Sequence, residues 1–329
     1  MAEQSDGILI AHNPGGKERE IFMEVLGPHA RVTFLGDLAQ AERKKTIASS
    51  RILLSWSPLK EFVPDEFPAL EGVRFIQFVT AGVDHVPFHL LPASSLVAGN
   101  SGAYAEPMAE HVLAMSLALL KRLLINHRKL KGGEFDQKTH NRMLRGLECG
   151  ILGYGGIGKA VARVMRTLGM GISALNTSGR TDDPVEFIGT LSDLEPFLRR
   201  ADLVVVSLPL TRHTRGLLGE RQLSWMKSDA ILINVARGAI LDEEALYRRL
   251  RAYPQFMAGI DTWWIEPAMH GEFRVNHPFF DLPNFLGSPH NSPIVPGNML
   301  HATRMASENV LRFLRGESVR GQVSREDYA

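Results

Sequence analysis

The sequence predicts an α/β protein made of two Rossmann-like or flavodoxin-like domains, each a doubly wound parallel sheet, with a cleft between them. Three observations lead to this prediction. Short β-rich runs alternate with helix-length stretches along the chain, the runs of the second half are apolar on both faces, and a glycine-rich turn follows the first of them. Strands that are apolar on both faces belong to a parallel sheet covered by helices on both sides. A chain of 329 residues is long enough for two such domains.

The β-rich runs fall into two series. The first series consists of ILIAH (8–12), VTFLG (32–36), ILLSW (52–56), FIQFV (75–79) and SLVAG (95–99). The second series consists of ECGILG (148–153), GISAL (171–175), LVVVSLP (203–209), AILINVA (230–236), FMAGID (256–261) and NFLGSPH (284–290). Helix-length polar or amphipathic stretches separate most of these runs, as in βαβ units. Each series therefore predicts one α/β domain.

Two long helices indicate how the domains share the chain. A helix around 105–123 would link the two series, and a terminal helix at roughly 297–315 could return to pack on the first domain. We therefore expect a discontinuous substrate-binding domain made of residues 1–98 and 293–329. The nucleotide-binding domain would then span residues 99–292.

The sequence predicts the N-termini of two shorter helices. Ser192 with Glu195 predicts a capping box, and Asp242 stands where an N-cap would begin the helix EEALYRRL. In both cases a short polar side chain can accept a hydrogen bond from a free amide of the first helical turn.

Composition narrows the class of protein. The hydrophobic fraction is 44%, the charged fraction is 22% and the formal net charge is +1, which is ordinary for a soluble globular protein and unlike a nucleic-acid-binding one. The first residues lack the pattern of a secretory signal, and the apolar run at 112–120 is too short to span a membrane. A single cysteine, Cys149, excludes an intramolecular disulfide and fits a reducing compartment. We expect a cytoplasmic protein without nucleic-acid or membrane partners.

The glycine run GYGGIG at 153–158 has the spacing of a dinucleotide-binding turn. A match of this spacing is weak alone, but here it follows a β-rich run and opens the helical stretch KAVARVMRTLG. Gly153 would permit the tight turn, Gly155 would let a pyrophosphate approach the backbone, and Gly158 would let helix and strand pack closely. The free amides at the helix start would bind the phosphates.

The same stretch also matches the beginning of a P-loop pattern. Gly153 to Lys159 also reads G-x-x-x-x-G-K, the beginning of a nucleotide triphosphatase motif. The next residue is Ala160, which has no hydroxyl for magnesium, so the dinucleotide interpretation is preferred.

Three side chains follow strands of the second series. Arg237 follows the run AILINVA, Glu266 comes shortly after FMAGID, and His290 ends NFLGSPH. Taken singly, the arginine could form a surface ion pair and the other two could be solvated loop residues. Because carboxyl ends of parallel strands meet at one ligand-binding edge, the three together indicate a site. A guanidinium can bind a carboxylate through two hydrogen bonds, and a histidine oriented by a glutamate can exchange protons.

Several stretches resemble the D-specific 2-hydroxyacid dehydrogenase family, which includes glyoxylate/hydroxypyruvate reductases and phosphoglycerate dehydrogenases. The matching stretches, in the family's order, are TAGVDHV (80–86), GAYAEPMAEHVLAMSLAL (102–119), GILGYGGIGKAVA (150–162), VVVSLPLTRHTRGLL (204–218), INVARGAILDEEAL (233–246), GIDTWWIEP (259–267) and SPHNSP (288–293). The resemblance implies an oxidoreductase that transfers a hydride between NADP(H) or NAD(H) and a small 2-keto or 2-hydroxy acid such as glyoxylate or hydroxypyruvate. It also implies a homodimer.

The resemblance implies roles for the catalytic residues. Arg237 would bind the substrate carboxylate and polarise the keto oxygen, and His290 would exchange a proton with that oxygen while Glu266 holds the imidazole. Backbone amides of the turn Ala81, Gly82 and Val83 would bind the carboxylate's other oxygen. Formate dehydrogenases, which resemble this family, carry glutamine where Glu266 stands, so the glutamate favours a substrate that needs proton transfer.

The resemblance also implies cofactor contacts along the same edge. They are Gly153, Gly155, Gly156, Ile157, Gly158, Leu208, Pro209, Thr214, Val235, Ala236, Asp261 and His290. Asp261 would face the nicotinamide carboxamide, unless it is simply a turn residue at a strand end.

The choice between NAD and NADP depends on the segment SALNTSGR at 173–180. An NAD-binding turn carries an acid near position 176 that binds the ribose hydroxyls and repels a 2′-phosphate. Here Asn176 removes the repulsion, Thr177 and Ser178 can donate hydrogen bonds, and Arg180 can pair with a phosphate. The sequence therefore favours NADP, although a polar turn with a solvated Arg180 and bound NAD is the alternative.

The remaining histidines and the tryptophan pair give weaker evidence of function. His111 lies in an apolar helix and reads as a packed, hydrogen-bonded residue, while Pro87 spoils a helical metal pair of His85 and His89, so no metal site is expected. The Trp263-Trp264 pair could shape the substrate pocket or fill the domain interface.

Two functional alternatives stay open. The protein could be a dehydrogenase of an inorganic oxyanion such as phosphite, or a nucleotide-sensing protein related to the family's transcriptional corepressors.

Overall fold

A computed structural model describes residues 7–328. The twelve strands in that part of the chain are β1 (Gly7–Ile10), β2 (Val32–Phe34), β3 (Ser50–Ser55), β4 (Phe75–Phe78), β5 (Leu96–Ala98), β6 (Glu148–Leu152), β7 (Gly171–Leu175), β8 (Phe187–Gly189), β9 (Leu203–Val206), β10 (Ile231–Asn234), β11 (Met257–Ile260) and β12 (Phe285–Gly287). The eleven α-helices there are α1 (Gly16–Leu26), α2 (Gln40–Ser49), α3 (Pro58–Glu61), α4 (Ala105–Leu120), α5 (Leu123–Lys131), α6 (Gly156–Thr167), α7 (Leu194–Arg200), α8 (Glu220–Trp225), α9 (Glu243–Ala252), α10 (Pro267–His270) and α11 (Asn298–Leu314).

The chain divides into two compact units. The first takes the residues up to Tyr104 together with those from Val295 onward, and the second is Ala105–Ile294. Each unit contains one parallel sheet with helices packed on it, so the predicted fold class of two α/β parallel-sheet domains is confirmed. The cleft between them stays a prediction.

The sheet of the first unit has the strand order β2-β1-β3-β4-β5, and every pair is parallel. This is the flavodoxin-like order. Side chains alternate between its two faces: along β1, Leu9 packs into one apolar cluster while Ile8 and Ile10 pack into another. All three are almost completely buried, which explains why the strand is apolar throughout. Helix α11 packs against α1 in this unit.

The sheet of the second unit has the order β12-β11-β10-β9-β6-β7-β8, again parallel throughout. Its first strand in the chain, β6, lies between β7 and β9, so the strand order reverses there. Such a reversal opens a crevice at the carboxyl ends of the strands, where ligands of this fold bind. Helix α6, which leaves that crevice, packs against α4.

Local details agree only in part with the sequence predictions. Strand β8, three residues at the sheet edge, has no counterpart among the predicted runs. The predicted capping box of Ser192 and Glu195 is wrong. Thr190 caps this turn instead: its hydroxyl accepts a hydrogen bond from the Ser192 amide, and its own amide donates to Asp193 Oδ2 at 2.9 Å.

The predicted cap of α9 is confirmed, since Asp242 Oδ1 accepts a hydrogen bond of 2.9 Å from the amide of Ala245. None of the helices within residues 7–328 has the length and apolar character needed to cross a lipid bilayer.

Candidate active site

The carboxyl edge of the second unit's sheet gathers the predicted nucleotide-binding and catalytic residues. The glycine turn follows β6, Asn176 follows β7, Leu208 follows β9, Arg237 follows β10, Asp261 follows β11 and His290 follows β12. Because the strands are parallel neighbours, these positions lie along one edge. The residues can therefore act on one extended ligand.

The glycine turn has the geometry of a phosphate cradle. Gly153 has a φ of +107°, and a Cβ there would lie 2.7 Å from the backbone nitrogen of Leu208. A Cβ on Gly158 would overlap the Gly153 carbonyl, whereas a Cβ on Gly155 would meet no atom within 4 Å. The turn is thus closed on the strand side and open at Gly155.

The start of α6 leaves donors for an anion. Within the described chain, the amides of Gly155, Gly156 and Ile157 donate no hydrogen bond. Free amides and the positive end of the helix dipole together attract phosphate. These residues fit the pyrophosphate of a dinucleotide.

The side chain of Asn176 closes the turn after β7 through hydrogen bonds. Asn176 Oδ1 accepts hydrogen bonds from the amides of Ser178 at 3.1 Å and Gly179 at 2.7 Å, and its Nδ2 donates to the Arg180 carbonyl at 2.9 Å. Thr177 and the Arg180 residue are exposed. The Asp183 carboxylate is paired with Lys159 at 3.0 Å.

Thr214 lies in the loop that follows β9 and is nearly buried. Its hydroxyl donates to the Pro209 carbonyl at 2.7 Å and accepts from the Thr211 amide at 2.8 Å. The structure therefore gives the Thr214 side chain partners inside its own loop. Val235 and Ala236, after β10, are buried as well.

Arg237 stands at the end of β10 in a turn built by Asn234. The Asn234 side chain accepts from the Ala236 amide at 3.0 Å and donates to the Arg237 carbonyl at 2.9 Å. The following residue, Gly238, lies directly against the backbone of Trp263 and Trp264, so that a Cβ would overlap it. Both contacts fix the backbone that carries the guanidinium.

Glu266 and His290 form a hydrogen-bonded pair, with 2.8 Å between Oε2 and Nδ1. Glu266 Oε1 accepts from the Trp263 amide at 2.6 Å, and its side chain is only 13% exposed, against 36% for that of His290. Burial alone would raise the pKa of Glu266. The hydrogen bonds from His290 and Trp263, with the positive charges of His290 and Arg237, outweigh burial and lower that pKa. Glu266 is therefore a carboxylate at neutral pH.

Asp261 is completely buried and bonded to the loop that carries His290. Its Oδ1 accepts from Ser288 Oγ at 2.5 Å and from the Asn291 amide at 3.2 Å, and its Oδ2 accepts from the Ser292 amide at 3.2 Å. Burial raises its pKa, but these hydrogen bonds together with His111 lower the pKa overall. The carboxylate thus anchors the loop, while its implied contact with nicotinamide stays a prediction.

The predicted substrate amides lie in the first unit, in the turn after β4. Among the described residues, the amides of Ala81, Gly82 and Val83 donate no hydrogen bond. The Thr80 hydroxyl holds this turn by donating to the Gly82 carbonyl at 2.9 Å. Three consecutive free amides are donors that an anion can use.

Sequence reasoning missed two groups that support the site. His111 is hydrogen-bonded, as predicted, but its Nε2 reaches Ser288 Oγ at 2.9 Å and so belongs to the network around Asp261. Trp263 is buried and donates its indole N–H to the Ser288 carbonyl at 2.8 Å. For Trp263 the available signal was its position between Asp261 and Glu266, whereas His111 is distant in sequence and gave no such signal. Residues 7–328 contain no group of three or more side chains that could hold a metal ion.

Known proteins resemble this chain in sequence and fold. Residues 113–292 match the model of the D-isomer specific 2-hydroxyacid dehydrogenase NAD-binding domain. The glyoxylate reductase of Aeropyrum pernix is 30% identical over 306 residues, which cover 89% of this chain and 86% of that protein. Glyoxylate/hydroxypyruvate reductase B of Salmonella heidelberg is 30% identical, over 84% of this chain and 85% of that protein.

Among solved structures, a D-isomer specific 2-hydroxyacid dehydrogenase from Xanthobacter autotrophicus in complex with NADPH and MES superposes with a TM-score of 0.78. The two chains are 26% identical, and the match covers 98% of this chain and 100% of the other. Fold, site and comparisons together define an NAD(P)-dependent oxidoreductase. The chain belongs to the D-isomer specific 2-hydroxyacid dehydrogenase family.

Proposed function

We propose that this protein reduces small 2-keto acids, such as glyoxylate or hydroxypyruvate, to the D-2-hydroxy acids with NADPH. The observation that carries the proposal is the 2.8 Å hydrogen bond between Glu266 and His290. The positive charge of Arg237 is close enough to help lower the pKa of the Glu266 carboxylate. An oriented imidazole beside a guanidinium is what carbonyl reduction of an anionic substrate needs. The relatives named glyoxylate reductase support the substrate class.

In this proposal the bound nicotinamide supplies the hydride that C2 of the keto acid receives. Arg237 binds the substrate carboxylate and polarises the keto oxygen, and the role that the family resemblance implies for the amides of Ala81, Gly82 and Val83 stays a prediction. Glu266 occupies Nδ1 of His290, which leaves Nε2 to donate a proton to the keto oxygen. One hydride and one proton convert the carbonyl to a hydroxyl, and the carboxylate of Glu266 stabilises the protonated ring before the transfer.

The preference for NADPH rests on the end of β7. The side chain nearest the position of the ribose acid is the neutral Asn176, and the nearby carboxylate of Asp183 is already paired with Lys159. The acids Asp182 and Asp183 lie beyond the turn that Asn176 closes, so neither occupies the position of the ribose acid, and the exposed Arg180 can pair with a 2′-phosphate.

A homodimer is proposed from the surface of the second unit around α5. Five large apolar side chains there are more than one third exposed: Leu123, Leu124, Leu130, Phe135 and Met143. An exposed apolar patch of this kind marks an interaction surface. Sedimentation equilibrium tests this point, because a monomer at micromolar concentration would refute it.

The experiment that tests the function is a substrate panel followed by nicotinamide absorbance. We expect turnover of glyoxylate or hydroxypyruvate, with higher kcat/KM for NADPH than for NADH. Turnover of phosphite alone would show that the substrate is an inorganic oxyanion and not a 2-keto acid. Tight NADPH binding without turnover of any compound would favour a nucleotide-sensing protein. Equal efficiency with NADH would refute the preference for NADPH.

A further inference from the structure

Trp263 contacts a segment next to each of the three proposed catalytic side chains. Its amide donates to Glu266 Oε1 at 2.6 Å, and its indole Nε1 donates to the Ser288 carbonyl at 2.8 Å, two residues before His290. Its backbone lies directly against Gly238, the residue after Arg237. The side chain is nearly buried, so these contacts are shielded from water.

We propose that Trp263 is a positioning residue for the reaction proposed above, and that it acts by holding the loop that carries His290. His290 has a φ of +50°, in the left-handed region that side chains other than glycine rarely adopt. Such a backbone persists only where neighbouring contacts hold it. Asp261 binds the loop on both sides of His290, through the Ser288 hydroxyl and through the amides of Asn291 and Ser292. The Trp263 indole adds a hydrogen bond to the Ser288 carbonyl, a backbone atom before His290 that Asp261 does not bind.

The packing around the indole explains how it reaches the loop. Phe273, Phe280 and Phe285 surround the ring with centroid distances of 5.1, 5.5 and 6.1 Å. A Cβ on Gly287 would lie 2.8 Å from the indole, so the absence of a side chain at the end of β12 lets the ring approach. Phenylalanine at position 263 would keep an aromatic ring in this pocket but would remove the N–H donor.

The adjacent Trp264 supplies a matched control. Its indole Nε1 also donates to a backbone carbonyl, that of Leu241, at 2.7 Å. Its ring stacks on Phe279 at 5.6 Å, and the Leu241 carbonyl lies outside the His290 loop. Trp263→Phe and Trp264→Phe therefore delete the same kind of hydrogen bond one position apart, and only the first deletion removes a contact to the His290 loop.

The kinetic test compares wild type, Trp263→Phe and Trp264→Phe with glyoxylate and NADPH. We expect Trp263→Phe to lower kcat about tenfold, equivalent to about 1.4 kcal/mol, and to raise the solvent deuterium isotope effect on kcat as proton transfer becomes limiting. KM and NADPH affinity should stay within about twofold of wild type, because Arg237 and the glycine turn are untouched. Trp264→Phe should keep kcat within about twofold.

Hydrogen exchange tests the same inference without turnover. The amides of Ser288, His290, Asn291 and Ser292 should exchange about tenfold faster in Trp263→Phe, and at the wild-type rate in Trp264→Phe, as measured by mass spectrometry. Gly287→Ala, which displaces the indole, should also accelerate the exchange of these amides. Unchanged exchange in Trp263→Phe, or equal acceleration in Trp264→Phe, would overturn the inference. If wild type reduces no 2-keto acid, the proposed function fails, and exchange alone decides the role of Trp263.

Discussion

The replacement Glu266→Gln changes one property of the proposed acid–base pair. Glutamine has nearly the same shape as glutamate, but it carries no charge and has a single acceptor oxygen. In the structure both carboxylate oxygens are used, one by His290 at 2.8 Å and one by the Trp263 amide at 2.6 Å. The glutamine amide can satisfy only one of these donors, and it cannot stabilise a protonated ring.

The expected magnitude follows from the difference between charged and neutral hydrogen bonds. A hydrogen bond to a charged group contributes about 1.5–3 kcal/mol, and a neutral one about 1 kcal/mol. The difference of about 1–2 kcal/mol corresponds to a decrease of about 5- to 30-fold in kcat. KM should change little, because the carboxylate of the substrate binds elsewhere in the proposed mechanism.

The assay is steady-state reduction of glyoxylate by NADPH, with Glu243→Gln as the control. Glu243 also accepts two hydrogen bonds, both from Asn276 at 2.7 Å, but it lies outside the proposed site, so its replacement should leave kcat unchanged. In a His290→Ala background Glu266→Gln should have almost no further effect, since the two side chains act as one unit. Additive losses, or a rise in KM at constant kcat, would refute the reasoning.

Two further predictions concern the cofactor and the first unit. Asn176→Asp should lower kcat/KM for NADPH at least tenfold relative to that for NADH, because an acid at this turn repels a 2′-phosphate; an unchanged ratio would remove this turn from cofactor selection. His12 is mostly buried, and burial lowers its pKa from 6.5 to about 4 in spite of a backbone hydrogen bond at Leu54. The unfolded chain therefore takes up the proton first as pH falls, so about 3 kcal/mol of stability, fully present above about pH 6.5, is lost as pH falls to about 4. Urea unfolding of wild type and His12→Gln tests this, since parallel pH dependences of their unfolding free energies would contradict it.

The large elements, and the position of the proposed catalytic side chains at one sheet edge, could be predicted because both depend on local pattern. Apolar runs mark β9 and β10, and a polar residue at the end of a parallel strand points to the ligand edge, which is how Arg237 and His290 were found. The structure shows that the glutamate–histidine pair does form a hydrogen bond.

The supporting contacts could not be predicted because they join residues that are distant in sequence. The indole of Trp263 reaches Ser288, 25 positions along the chain, and His111 reaches the same residue across 177 positions. Neither partner follows from periodicity or spacing. The cap at Thr190 was misread for a different reason: two hydroxyl residues, Thr190 and Ser192, are spaced to compete for one helix start.

The central claim is that His290 exchanges the proton in a reduction of 2-keto acids, and the most direct measurement is kcat of His290→Ala at saturating NADPH and glyoxylate. Loss of a general acid should lower kcat by about 10²- to 10⁴-fold. NADPH affinity, measured by fluorescence titration, should stay within about threefold, because the glycine turn binds the phosphates independently. A kcat within about twofold of wild type would contradict the account.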